Sequence, residues 1–171
     1  MKFIVDTREQ NPLKFRNIET IRKKLDAGDY SIEGMEHLIS IERKSAADLY
    51  GTLGKGNKRF QKELKRAVNH DIFVLLIESP YHVVKEKAFE NAHYCGMRPD
   101  VLMKILWTLM IKYRIYVMFC NGRVEALQIV KGILTSYYNH KKKPTKFKNS
   151  ISVDLDMVQK VEKMKRKWKM Q

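Results

Sequence analysis

The sequence predicts an α/β fold built on a mixed sheet, and three features of the chain point to it. A six-residue apolar run, Ile72 to Ile77, is flanked by Asp71 and by Glu78-Ser79-Pro80. That is the pattern of a central strand buried on both faces. Two short alternating runs around Gly34 read as a hairpin. Segments of helical period separate these strands, which is the order of an α/β domain rather than of a sandwich or a bundle.

Taken in order, Phe3 to Val5 is a short buried strand ending at Asp6. Ile18, Ile21 and Leu25 recur at helical spacing and predict a short helix over 18–25. Tyr30 and Ile32 form the first hairpin strand, and Leu38, Ile39 and Ile41 lead the second to Glu42. Ser45 is placed to cap a helix carrying Ala46 to Tyr50. Gly51, Gly54 and Gly56 then predict a mobile stretch. A helix with Phe60, Leu64 and Ala67 on one face leads into the central strand. Residues 98–113 predict an apolar helix, 115–119 a strand and 122–138 a last helix.

Composition changes after Tyr138. Residues 139–171 carry 11 Lys or Arg against three acids. We therefore expect a domain over 1–138 and a basic extension over 139–171. Lys141-Lys142-Lys143-Pro144 reads as a linker, and 154–169 as a basic terminal helix. Over the whole chain, 34 Lys and Arg oppose 19 Asp and Glu, a net charge of +15. Such an excess points to a polyanionic partner, because each neutralised phosphate releases condensed counterions. An RNA-binding domain is disfavoured, since no aromatic platform motif is present.

The two cysteines form no CxxC pair, which argues against a disulfide framework and a zinc knuckle. The five histidines are scattered, and His93-Tyr94-Cys95 reads as loop or surface. No apolar run approaches the roughly 20 residues that span a bilayer. The first residues reach Asp6 too early for a signal-peptide core. An intracellular protein with no membrane association and no organic cofactor is expected.

The chemistry is concentrated between Asp6 and Glu63. Glu42 and Lys44 alternate with Arg43, so they leave one face of a strand while Arg43 leaves the other. Asp29 begins the hairpin partner of that strand, where its carboxylate can meet Glu42. Asp6 ends the first strand, and Asp48 opens the helix after Lys44. Clustered carboxylate oxygens are what Mg²⁺ or Mn²⁺ requires. A lysine beside such an ion can orient a water and stabilise charge developing on a phosphoryl group. By spacing alone, a solvated hairpin of ion pairs explains the same residues.

Val5-Asp6-Thr7-Arg8-Glu9, Gly28-Asp29-Tyr30, Ile41-Glu42-Arg43-Lys44-Ser45-Ala46-Ala47-Asp48-Leu49 and Arg59-Phe60 follow one another in this order. Together they closely resemble the nuclease domain of XPF-type structure-specific endonucleases, with its GD and ERKxxxD signatures. The match covers residues 2–135. The resemblance implies a restriction-endonuclease-like core of the PD-(D/E)XK superfamily and Mg²⁺-dependent cleavage of DNA, with Mn²⁺ able to substitute, at flaps, forks or junctions. It implies metal ligands at Asp29 and Glu42, joined by Asp6, a catalytic Lys44, and supporting roles for Arg8, Arg43, Asp48 and Arg59. A non-catalytic DNA-binding or scaffold module of the same family is the alternative.

Physical readings of individual residues accompany this. Arg8 suits a phosphate oxygen, or it pairs with Glu9 or Asp48. Arg43 contacts DNA or forms an ion pair with Asp48 or Glu63. Glu63 stands where the family has glutamine, and it either binds metal or pairs with an arginine. Lys55, Lys58 and Arg59 beside the glycines are candidate DNA contacts, as are Lys141, Lys142 and Lys143. The 33 residues after 138 are too few for the tandem helix-hairpin-helix modules usual in the family, so the basic extension is expected to take over part of their grip. A homodimer through 98–138 is expected from the family and from the apolar content of that region.

Overall fold

The computed structural model describes residues 1–90, 92 and 96–142. The chain divides into a unit Met1–Asn139 and a unit His140–Gln171. The first unit holds six strands, β1 (Phe3–Val5), β2 (Thr20–Arg22), β3 (Tyr30–Ile32), β4 (Ile39–Lys44), β5 (Ile72–Ile77) and β6 (Tyr116–Phe119). Helices α1 (Ala46–Leu53) and α2 (Asn57–Ala67) follow β4. Helices α3 (Tyr81–Glu86) and α4 (Pro99–Tyr113) follow β5, and α5 (Arg123–Lys142) closes the described chain.

The strands form one sheet in the order β2-β1-β3-β4-β5-β6. β1 runs antiparallel to β3, and β3 antiparallel to β4. The other pairings are parallel, so the sheet is mixed, as expected. β5 confirms the reading of a strand buried on both faces. Phe73, Leu75 and Ile77 pack with Leu49, Phe60, Leu64, Leu102 and Leu106 on the side of α1, α2 and α4. Val74 and Leu76 pack with Ile39, Ile41, Val130 and Leu134 on the side of α5. The period-2 alternation of a strand thus divides one apolar run between two cores.

Several expectations change. Residues 18–25 form no helix; Thr20 to Arg22 pair with β1 as an edge strand. Pairing satisfies the backbone groups that β1 would otherwise leave open on that side. The three side chains are exposed, half-buried and exposed, which is the profile of an edge strand rather than of a buried helix face. The glycine stretch is a tight junction between helices. Gly51 lies inside α1, Gly54 donates to the Tyr50 carbonyl, and Gly56 donates to the Gly51 carbonyl. A Cβ on Gly56 would come within 3.1 Å of Thr52 backbone, so the close turn favours glycine. α3 was not expected; with a single buried residue, Val84, it carries no hydrophobic period. Lys141 and Lys142 belong to α5 rather than to a linker. Lys143, His93-Tyr94-Cys95 and the expected terminal helix at 154–169 lie outside the described residues. Among the described residues no helix is long and apolar enough to cross a membrane.

Candidate active site

The β3–β4 hairpin and the first turn of α1 place the signature residues around one cavity of about 420 Å³. Gly28 makes the turn into β3. Its φ is +78°, and an added Cβ would meet Ser40 Cβ at 3.0 Å and Ile41 backbone at 3.2 Å. Only glycine fits both constraints. The next residue ties the sheet together, because Asp29 N–H donates to the Ile41 carbonyl and the Asp29 carbonyl accepts from Asp6 N–H, each at 2.8 Å. The Asp29 side chain then accepts from the Arg43 N–H at 2.8 Å. This fixes the carboxylate at the hairpin's open end.

Glu42 is 6% exposed and leaves β4 on the cavity side with Lys44. The Lys44 ammonium donates to Glu42 Oε1 at 2.6 Å and lies over the Phe60 ring at 5.4 Å. Asp29, Glu42 and Lys44 all line the cavity, joined by Arg8, Asp48, Arg59 and Glu63. Burial, reinforced by the negative charges of Glu9 and Glu63, pushes the Asp29 carboxyl up to about 7. Burial and the charge of Asp29 push Glu42 up to about 8, with Lys44 opposing. Buried Glu42 and half-buried Asp29 thus share one ammonium. Lys44 itself is held above its ordinary value, because the Glu42 charge outweighs burial.

Asp6 is only 1% exposed and does not line the cavity. Its oxygens accept from Arg8 N at 2.7 Å, Arg8 Nε at 2.7 Å, Arg8 Nη2 at 3.0 Å and Leu25 N at 2.6 Å. Burial would raise its pKa, but these donors together hold it below the usual carboxylate range. The structure therefore does not bring Asp6 to the acidic pair. It makes Asp6 the clamp that aims the 48% exposed Arg8 into the cavity. Arg8 is paired with neither Glu9 nor Asp48, the two partners considered from the sequence.

Arg43 leaves the opposite face, as the alternation requires. Its partners are Glu78 and Glu9, with Glu9 at 3.2 Å, and the Asn11 carbonyl at 2.9 Å, rather than Asp48 or Glu63. Asp48 accepts from the Ser45 hydroxyl at 2.8 Å, and its own N–H donates back to that oxygen at 3.1 Å. This is the cap expected at the start of α1, and it sets the cavity wall. Among the described residues Glu63 forms no ion pair with an arginine; its Oε1 accepts from Gly28 N–H at 3.0 Å and so ties α2 to the Asp29 turn. Lys55 and Lys58 are exposed outside the cavity lining, whereas Arg59 is part of it. The sequence reading missed the Phe60 ring as a seat for Lys44 and the Glu9–Arg43–Glu78 network.

The donor chemistry suits a hard divalent cation. Such ions take one or two carboxylates and leave other positions to water and phosphate oxygens. Among the described residues no three His, Cys, Asp or Glu side chains are placed to hold an ion. The fit is therefore to a pair, Asp29 and Glu42, and not to an all-protein cage.

Comparison with known proteins adds two findings. A family model described as the ERCC4 domain matches residues 5–133. Among solved structures, the chain is similar to XPF from Aeropyrum pernix, with 20% identity and a TM-score of 0.62 over 80% of this chain and 61% of that one. It is also similar to XPF from Aeropyrum pernix in complex with DNA, with 18% identity and a TM-score of 0.60 over 81% of this chain and 65% of that one. The chain thus spans less than two thirds of either neighbour. No curated protein matches it. The likeness bears out the restriction-endonuclease-like fold.

Proposed function

The chain belongs to the ERCC4 domain family as an XPF-type nuclease domain, and on that premise we propose that it is a divalent-metal-dependent endonuclease that hydrolyses DNA phosphodiesters at flaps, forks or junctions. The observation that carries this is the pairing of buried Glu42 with half-buried Asp29 in the lining of one cavity, beside Lys44 and Arg8. That a solved neighbour is an XPF–DNA complex supports DNA as the partner.

In this reading Asp29 and Glu42 hold Mg²⁺, or Mn²⁺ in its place. When bound, the ion supplies Lewis-acid polarisation of the phosphoryl group and lowers the pKa of a coordinated water. Lys44, seated on Phe60 and hydrogen-bonded to Glu42, carries a fixed positive charge to the reacting phosphate and donates to its oxygen or to the attacking water. Arg8, braced by Asp6, presents a planar donor fork to a neighbouring phosphate. Arg59 lines the cavity on the α2 side and guides the strand. Asp48 and Glu63 hold the walls, Asp48 through the α1 cap and Glu63 through Gly28.

Homodimerisation through 98–138 is part of the proposal. Trp107, Ile111, Tyr116 and Val124 are large apolar side chains left exposed on α4, β6 and α5. A monomeric mass in solution contradicts it. The second reading, a DNA-binding module without activity, draws on the absence of a third protein ligand among the described residues. One assay separates the two. The full chain is incubated with labelled flap, fork, four-way junction and linear duplex under Mg²⁺ or Mn²⁺, with and without chelator. Chelator-sensitive cutting that favours the branched substrates is expected. Binding without any metal-dependent cutting leaves only the second reading.

A further inference from the structure

A second cavity, of about 400 Å³, opens beside the other end of α2. We propose that it is a docking groove for the phosphate backbone of the DNA arm whose scissile phosphate lies in the first cavity. The proposal rests on the nuclease reading above and adds to it a site for the uncut part of the substrate.

Two observations carry it. The first is charge. Lys23, Lys24 and Arg66 line the groove with His37 and His70, against Asp26 and Glu36. Glu36 is already neutralised by Lys23 at 2.7 Å. Arg66 spends its bonds on backbone, the Asp26 carbonyl at 2.7 Å and the Lys62 carbonyl at 3.3 Å. Among the described residues no carboxylate pairs with Arg66 or Lys24, so both keep their full charge for a ligand.

The second is alignment. Arg59 and Glu63 line the first cavity and Arg66 lines the second. Residues 59, 63 and 66 fall on one face of α2. From Arg59 to Arg66 the helix rises about 10 Å, the axial rise of about three nucleotides of a duplex strand. Arg59, Lys62 and Arg66 thus form a basic rail from one cavity to the other. The spacing suits successive phosphates of one strand and not an isolated anion. Each contact is to backbone, so the groove would position the substrate without reading its sequence.

The test is fluorescence anisotropy of the full chain with a fluorescein-labelled flap DNA in EDTA, so that grip is measured apart from cutting. Two double variants are compared with wild type over a salt series, Lys24→Ala with Arg66→Ala, and Lys24→Ala with His37→Ala. The second leaves every hydrogen bond named above intact, so it guards against a folding defect in the first. For Lys24→Ala with Arg66→Ala, affinity falls about tenfold and the slope of log K against log salt becomes shallower by about 1.8, the value for two lost phosphate contacts. The second variant shows a smaller loss in the same direction. Lys112→Ala with Lys131→Ala removes equal charge from α4 and α5 and changes neither quantity. Trimming the duplex arm so that it stops short of the groove abolishes the difference between variant and wild type. An unchanged slope in both groove variants overturns the proposal, as does an equal loss in the α4–α5 control. If the wild type binds with these differences yet never cuts, the nuclease reading fails and the groove stands. If it binds no DNA, both fail.

Discussion

The two faces of β4 solve opposite problems with adjacent residues. On one side Arg43 is enclosed by Glu9 and Glu78 and by the Asn11 carbonyl, so its charge is answered from within the protein. On the other side buried Glu42 and half-buried Asp29 share the Lys44 ammonium, which bonds to Glu42, and both carboxyls are pushed toward neutral pH. On the Arg43 face both carboxylates contact the guanidinium directly, and the network serves the fold. On the Glu42 face the ratio of acids to base is the same, but Lys44 bonds to Glu42 alone and burial holds both carboxyls above their ordinary range. Acids whose pKa values are pushed toward neutral pH inside a cavity mark a candidate functional site.

The sharpest way to break this contrast is to remove its acids. Glu42→Gln or Asp29→Asn should lower DNA cleavage by at least about 100-fold, the scale of losing one charge-stabilising group in an active site. DNA binding in EDTA should be kept or tightened, since a repulsive carboxylate is gone. Normal cutting by either variant places the chemistry elsewhere. On the Arg43 face the order of effects reverses. Arg43→Ala strands Glu9 and Glu78 and should cost about 3 kcal/mol, the lower end for breaking a buried pair. Its melting temperature should fall by about 6–12 °C, and a fall under about 2 °C would show that the network is not structural.

Proton linkage sharpens the comparison further. Asp29 at about 7 and Glu42 at about 8 keep protons in the folded chain that the unfolded chain gives up near ordinary carboxylate values. The folded state therefore binds more protons across that window, and stability falls as pH rises from about 5 to about 8. In chelator, the wild-type melting temperature should drop over this range by at least about 2–4 °C, equivalent to about 1 kcal/mol. Mg²⁺ should restore it, and Glu42→Gln should flatten the slope. A melting temperature that rises with pH in chelator would reverse the assignment of strain to this face. The smallest effect belongs to Glu63. Glu63→Gln retains an acceptor for Gly28 N–H and should change stability by less than about 0.5 kcal/mol, whereas Glu63→Ala should cost about 1 kcal/mol. Denaturant midpoints measure both, and equal losses would mean that the Gly28 bond is irrelevant.

Much of this was legible in the sequence because strand periodicity carries it. The split of β5 between two cores and the separation of Glu42 and Lys44 from Arg43 both follow from alternation. β2 was not legible, since three residues on an edge, one of them half-buried, leave no pattern, and their helical spacing is coincidental. α3, six residues long, is too short for a period to show. In the site, strand alternation and the hairpin were enough to expect Asp29, Glu42 and Lys44 together, and all three line one cavity. Asp6 was read with them, but its orientation depends on the Leu25 N–H, 19 residues away. Arg43 finds Glu9 and Glu78 at separations of 34 and 35 residues, which no local pattern reports. His37 and His70 were scattered in the chain and meet at one groove only because β2, the β3–β4 hairpin and the end of α2 converge there.

Calorimetric titration of Mn²⁺ into the full chain, held with an uncleavable flap DNA near pH 8, tests the central claim most directly. We expect saturable binding at the Asp29–Glu42 pair, with proton release that disappears when both are changed to Asn and Gln. An isotherm that is the same in wild type and in that double variant would contradict the assignment of the ion to these two carboxylates.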